Sequence, residues 1–131
     1  MDYSKKKLPE LIKLADEVFH KFIRLRDRGK PCISCDSFDT TDATHFYSAG
    51  KHPELRYHED NVHAWCIQCN RILSGNLYNY KKRLPGRIGI KKYTEIYQRV
   101  EMFKQIEFKY DRSELIDIII KYKSEVKKLE K

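Results

Sequence analysis

Residues 44–70 decide the fold and read THFYSAGKHPELRYHEDNVHAWCIQCN. This stretch ends in a Cys-x-x-Cys pair, Cys66 and Cys69, and a second such pair, Cys32 and Cys35, precedes it. Two residues between thiols let both sulfurs bind one ion from a tight turn, and two such turns complete a tetrahedral zinc site. The chain's four cysteines are all used in this way. The spacing therefore predicts a structural zinc ion with no open coordination position.

Redox-active dithiols and a pair of disulfides are the alternatives to zinc. The N-terminal residues have no apolar segment followed by a small-residue cleavage site, and no stretch approaches the ~18 apolar residues of a membrane span. We therefore expect a cytoplasmic protein, in which thiols stay reduced and paired Cys-x-x-Cys motifs bind metal. No thioredoxin-like pattern of strand and helix accompanies the cysteines, which also favours zinc.

The charge distribution indicates a polyanionic partner. The net charge is +8 and the pI is near 9.3, and no acidic residue occurs from Asn61 to Thr94. A solvated helical face would explain such a run, but its start beside the cysteines favours phosphate binding, which we predict. The predicted DNA-binding residues are Arg71, Lys81, Lys82, Arg83, Arg87, Lys91 and Lys92.

Apolar periodicity predicts an α+β protein in which two short strands are flanked by helices. Gly29 and Pro31 should end the first helix, Pro85 and Gly86 should break a central one, and Asp111 with Glu114 should cap the last. The predicted helices cover residues 8–28, 67–74, 76–84, 91–108 and the segment after 111, and the predicted strands cover 43–48 and 62–66.

Three polar residues within the cysteine framework suit phosphodiester hydrolysis. The reaction needs an activated water, charge relief at the phosphate, and a group that orients the base. A histidine is suited to deprotonating water near neutral pH, and a divalent cation can supply the charge relief. His45 falls on the first predicted strand, Asn61 just before the second, and Asn70 on the helix that follows. A zinc-bound hairpin and helix would bring these three together.

With these residues the chain resembles the His-Asn-His (HNH, ββα-metal) endonucleases, whose pattern is CxxC, His, Asn and CxxC-His. It more closely resembles the phage lambda NinG/Rap recombination endonucleases. The segments that carry the closer resemblance are residues 22–27, 31–35, 45–48, 53–57, 59–63, 66–70, 73–76 and 87–89.

The resemblance implies a role for each of the three polar residues. His45 would be the general base, Asn61 would orient it or hold the active-site loop, and Asn70 would bind a catalytic Mg²⁺ or Mn²⁺. As alternatives, Asn61 could cap a turn and Asn70 could cap the helix.

Two positions depart from the family pattern. Thr44 stands where many relatives of the wider superfamily have an acidic metal ligand, and Trp65 stands where the closer family is expected to be polar. His63 is the best replacement ligand, although it could equally be a partner for the backbone. The weaker candidates for the ligand are Asp42 and Asp60.

The resemblance also implies the architecture and the partners. We expect one HNH-type nuclease domain over residues 1–131, with an N-terminal helix (1–31), a zinc-bound, treble-clef-like ββα core (32–84) and a C-terminal helical arm (85–131). Its substrate would be branched double-stranded DNA such as Holliday junctions and D-loops, cut within a bacterial host by a phage or prophage protein. A homodimer is possible because resolving a junction takes two incisions. The alternative is a non-catalytic zinc-dependent module that binds nucleic acid.

Overall fold

The computed structural model describes residues 2–71 and 76–131, except for the side chains of Asn70 and Arg71. The described residues form a mixed α+β fold of five helices and one two-stranded sheet. In chain order the elements are α1 (Leu8–Arg26), β1 (Thr40–His45), β2 (Val62–Cys66), α2 (Ile67–Arg71), α3 (Leu77–Ile88), α4 (Ile90–Phe103) and α5 (Arg112–Glu130). Two 3₁₀ turns, Pro53–Leu55 and Glu59–Asn61, lie between the strands.

Helix α1 packs against α5, and together they form the main apolar core of the described chain. Phe19 on α1 is fully buried and meets Tyr122 of α5 edge to face, with ring centroids 4.9 Å apart. Apolar residues that recur at three- and four-residue steps form a stripe on each helix, and most of each stripe is buried, although Leu8 and Ile120 are exposed. The last helix, α5, is thus part of the core. The C-terminal arm was predicted to begin at residue 85, and that residue lies inside α3.

The ends of these two helices follow local chemistry. Helix α1 ends at Arg26 rather than at residue 28, and Gly29 then has φ +84°, the left-handed conformation that glycine adopts without strain. At α5 the predicted capping box is confirmed. The Asp111 carboxylate accepts from the Glu114 N–H at 2.8 Å, and the Glu114 carboxylate accepts from the Asp111 N–H at 3.1 Å.

Strands β1 and β2 pair antiparallel, with Thr44 opposite His63 and His45 opposite Val62. The second strand is as predicted, whereas the first begins at Thr40 and ends at His45 instead of covering 43–48. The reason is pairing: β1 extends back to lie opposite Cys66, with an irregularity between Thr40 and Asp42. Beyond His45 the chain leaves the ladder as a loop.

Helix α3 continues past the predicted break and includes Pro85 in its last turn. It ends at Ile88, where Gly89 takes φ +91° and donates its N–H to the Pro85 carbonyl at 2.8 Å. Buried Leu84 packs with Ile33 and Tyr80, and this packing stabilises the helix despite the proline that follows Leu84. Helix α4 then spans Ile90–Phe103, shorter than predicted. No helix in the described chain is both long and apolar enough to cross a membrane.

Candidate metal centre and active site

The four cysteines converge as predicted. All four sulfurs lie within 4.8 Å of one another, with Cys35 Sγ 3.4 Å from Cys66 Sγ and Cys32 Sγ 3.8 Å from Cys69 Sγ. In a tetrahedral site with Zn–S bonds of ~2.3 Å, neighbouring sulfurs would be about 3.8 Å apart. The cluster therefore has the size to hold a metal ion such as zinc.

Nitrogen donors surround the sulfurs and suit a thiolate-bound ion. The Ser34 N–H approaches Cys32 Sγ at 3.4 Å, and the Cys69 N–H approaches Cys66 Sγ at 3.5 Å. Asn76 adds its side-chain amide at 3.6 Å from Cys69 Sγ. Asn76 begins α3 without capping it through its side chain, because its Oδ1, the atom that would accept from a backbone N–H, accepts from the Asn79 side-chain amide at 3.0 Å.

The thiols must lose protons when a metal binds. Burial raises the pKa of the Cys69 thiol to about 12, so an incoming ion has to displace that proton, and affinity should fall in acid. With four cysteine ligands the site would be closed, so a zinc ion there would act as a scaffold rather than as a catalyst.

His45, the predicted general base, ends β1 with its ring held in one orientation. Its Nε2 lies 2.9 Å from the Arg56 carbonyl oxygen. A carbonyl can only accept, so Nε2 must carry the proton, and the lone pair of the neutral ring is then on Nδ1. The His20 ring packs edge-on against it at 5.6 Å between ring centroids, so the sequence analysis missed His20 as a neighbour of His45.

The ring of His45 is neutral at physiological pH. Burial has the largest effect and lowers its pKa. The hydrogen bond to the Arg56 carbonyl raises the pKa in part, and the nearby His20 and Arg56 side chains lower it further. Burial also lowers the pKa of His20. A neutral imidazole with its lone pair on Nδ1 can take a proton from water.

Asn61 holds both ends of the loop that positions His45. This side chain is fully buried; its Oδ1 accepts from the Tyr47 N–H at 2.8 Å, and its Nδ2 donates to the Tyr47 and Leu55 carbonyls at 3.0 and 3.2 Å. The Tyr47 contacts fix the chain just after His45, and the Leu55 contact fixes it just before Arg56.

An ion pair with α1 anchors the other side of the same loop. The Arg56 guanidinium makes two bonds to the Asp16 carboxylate, at 2.9 and 2.6 Å, and the Tyr57 hydroxyl donates to Asp16 at 2.8 Å. Sequence reasoning missed Asp16 as a site residue. Its polar position on an otherwise apolar stripe was the available signal, but nothing local identified its partners.

His63 lies on the opposite face of the hairpin from His45. Residues opposite each other in an antiparallel ladder share a face, so His63 shares one with Thr44, and His45 shares the other with Val62. His63 is buried, and its Nδ1 is 3.2 Å from the Tyr80 hydroxyl, which donates to the Thr44 carbonyl. The structure therefore does not bring His63 together with His45 around one ion.

The described residues do not assemble a second metal centre. Apart from the four cysteines, no group of three or more His, Cys, Asp or Glu side chains lies close enough there to hold an ion. Asp42 pairs with Arg24 at 3.7 Å, and Asp60 lies 4.0 Å from Lys92. The side chain of Asn70, the predicted ligand for Mg²⁺ or Mn²⁺, lies outside the described residues. A complete donor set for such an ion is thus not seen here.

The predicted DNA-binding residues differ in their solvent exposure and in the polar partners that they already have. Lys81, Lys82 and Lys91 are exposed on α3 and α4. Arg83 is ion-paired with Asp36 of the first cysteine turn, and Arg87 is half-buried and donates to the Pro31 carbonyl at 2.7 Å. Lys92 is exposed beside Asp60, and the side chain of Arg71 lies outside the described residues.

Comparisons with known proteins identify relatives of this chain. The family described as "Bacteriophage Lambda NinG protein" matches residues 3–131. "Protein ninG" of Salmonella phage P22 is 44% identical over 87 residues, which is 65% of this chain and 43% of that protein. "Protein ninG" of Escherichia phage lambda is 42% identical over the same shares.

The chain spans less than half the length of these curated relatives. No solved structure matches it.

Proposed function

The chain belongs to the family of the bacteriophage lambda NinG protein, and from that premise we propose that it is a metal-dependent, structure-selective DNA endonuclease of the HNH (ββα-metal) type. Its substrates are branched recombination intermediates such as Holliday junctions and D-loops. The observation that carries the proposal is the hydrogen bond from His45 to the Arg56 carbonyl, which leaves Nδ1 of a neutral imidazole as the free base.

In the proposed reaction, His45 Nδ1 accepts a proton from a water molecule. The resulting hydroxide forms a bond to phosphorus, and the bond from phosphorus to the 3′ oxygen breaks. The products are a 5′ phosphate and a 3′ hydroxyl, which takes up a proton. Asn61 acts as a positioning residue, because its bonds to Tyr47 and Leu55 fix the two chain segments that hold the ring.

A divalent Mg²⁺ or Mn²⁺ would stabilise the negative charge that develops on the phosphate and the leaving oxygen. We assign Asn70 as its protein ligand on the resemblance alone. We do not propose His63 as a ligand of this ion, because the hairpin directs His63 to Tyr80 and away from His45.

Exposed lysines on α3 and α4 would bind the DNA backbone. Contacts of Lys81, Lys82 and Lys91 with phosphates carry no sequence information, which suits a nuclease that recognises DNA shape. Binding should therefore weaken steeply as salt concentration rises, because each phosphate contact releases counterions.

A non-catalytic zinc module that binds nucleic acid is the second candidate. It is favoured by Thr44, which cannot supply the carboxylate that many relatives of the superfamily place before the base, and by the lack of a second metal-binding group in the described residues.

Cleavage of a labelled four-way junction in Mg²⁺ or Mn²⁺ separates the two candidates. His45→Gln is the sharpest variant, because its amide can still donate to the Arg56 carbonyl but cannot take a proton. We expect wild type to cut, His45→Gln to bind without cutting, and His52→Gln, a control in the same loop, to cut normally.

Two results would count against the enzyme. Binding of the junction by wild type without cutting in either metal would favour the non-catalytic module. Cutting by His45→Gln at the wild-type rate would remove His45 from the role of base.

A further inference from the structure

A cleft separates the first cysteine turn from helix α3. It has a volume of about 560 Å³, within the range of about 300–1,000 Å³ that is usual for ligand clefts. Ile33 and Asp36 line it on the side of the cysteine turn, and Asn79, Lys82 and Arg83 line it on the side of the helix. Cationic groups on one wall suit an anionic ligand such as a phosphate.

An aromatic side chain stands beside this cleft. Among the described residues, Tyr78 is the most exposed of the large apolar and aromatic side chains, at 78%. It precedes Asn79 and lies one helical turn before Lys82, so Tyr78, Lys81 and Lys82 share one face of α3. A solvent-exposed ring beside two lysines is the combination with which proteins bind single-stranded nucleic acid, the ring stacking on a base and the lysines binding the backbone.

We propose that this cleft is a subsite for an unpaired nucleotide, with Lys82 and Arg83 binding its phosphate and Tyr78 stacking on its base. The inference rests on the proposed function and deepens it for one substrate class, because the displaced strand of a D-loop has unpaired nucleotides and ordinary duplex has none. A fully paired duplex keeps its bases stacked on one another and offers nothing to the ring.

Asp36 competes with the phosphate for Arg83. The two side chains form an ion pair, but Asp36 is 66% exposed and Arg83 is 38% exposed. An exposed pair of this kind adds little net stability, so a phosphate can replace the carboxylate as the partner of Arg83. Asp36→Asn should therefore tighten DNA binding, and asparagine tolerates the left-handed backbone of this position, where φ is +66°.

The test compares two fluorescently labelled DNAs with the zinc-loaded chain. One is a fully paired duplex, and the other is the same duplex with a single-stranded flap that carries 2-aminopurine next to the branch. Tyr78→Leu removes the aromatic face and Tyr78→Phe retains it. Lys82→Ala removes a phosphate contact, and Tyr97→Leu is the control for an exposed tyrosine on α4.

We expect Tyr78→Leu to weaken flap binding by about 5- to 150-fold, the range that corresponds to the loss of one stacked base, and to leave duplex binding unchanged. Quenching of 2-aminopurine should disappear in Tyr78→Leu and persist in Tyr78→Phe. Lys82→Ala should weaken the binding of both DNAs, and Tyr97→Leu should weaken the binding of neither.

If Tyr78→Leu lost equal affinity for both DNAs, or lost none, the nucleotide subsite would be overturned while the proposed DNA-binding function stayed intact. If wild type bound neither DNA at any salt concentration, the subsite and the proposed function would both be overturned.

Discussion

Helices α1 and α5 bury a continuous layer of apolar side chains. In the neighbouring cysteine cluster (Cys32, Cys35, Cys66 and Cys69), Trp65 is the one partly buried apolar partner from outside the cluster that the described residues supply. The first region is large enough to be stabilised by the hydrophobic effect. The second combines a short hairpin with tight turns, and its residues that the structure describes bury too little apolar surface to be stable in that way. A metal ion held by the four thiols would take the place of a core there. The loop that carries His45 joins the two regions.

The largest expected effect is that of losing a cysteine ligand, which tests whether a metal ion stabilises the cysteine region. Structural zinc sites contribute about 10–16 kcal/mol of apparent binding energy in small peptides, and that energy is folding energy for the turns that supply the ligands. We expect Cys66→Ala to reduce bound zinc from one equivalent to near zero and to make residues 31–71 sensitive to protease. Zinc content by mass spectrometry and limited proteolysis provide the measurements.

Cys66→Asp is the matched control, since a carboxylate can still ligate zinc, though more weakly. If Cys66→Ala kept the thermal stability and protease resistance of wild type, a metal could not be what holds this region.

A cavity in the apolar core between α1 and α5 should lower the stability of the protein without releasing the metal. Phe19 is fully buried between Phe22, Tyr57 and Tyr122, and replacement of a buried phenylalanine by alanine typically costs about 3–5 kcal/mol. We therefore expect Phe19→Ala to lower the free energy of unfolding by that amount in a urea titration, with zinc still bound at one equivalent. Loss of zinc in folded Phe19→Ala would show that the two regions are not separable, and Lys13→Ala on the exposed face of α1 should change nothing.

The smallest expected effect concerns pH. Burial, together with the nearby positive charge of Arg26, lowers the pKa of His63 to about 3. In the unfolded chain a histidine titrates near pH 6.5, so below that value the unfolded state binds a proton that the folded state excludes. Stability from His63 is therefore complete above about pH 6.5 and falls as pH drops towards 3, by up to about 1.4 kcal/mol per pH unit.

Urea titrations at pH 7 and pH 5 should reveal this slope as a difference between wild type and His63→Gln, whose amide can still donate to the Tyr80 hydroxyl. Release of metal in acid is common to both proteins and cancels in the comparison. An equal loss of stability in the two proteins would mean that His63 takes up a proton when folded.

Local patterns predicted much of the fold, and their failures have identifiable causes. The second strand, the stripe of α1 and the capping box of α5 all depend on residues a few positions apart. The first strand was misplaced because its pairing with β2 was not visible in its own residues. The break at Pro85 was wrong because the packing of Leu84 with Ile33 and Tyr80 stabilises the helix through the proline.

The sequence by itself determined the four cysteines that could hold a metal, the family, and the identities of His45 and Asn61 as candidate site residues, because each depends on spacing along the chain. Only the tertiary structure decided which nitrogen of His45 is free, that His63 faces Tyr80, and that Arg83 is paired with Asp36. The partners in these contacts come from separate segments of the chain. A hydrogen bond or ion pair depends on distance and direction in space, and between segments these exist only after the chain has folded.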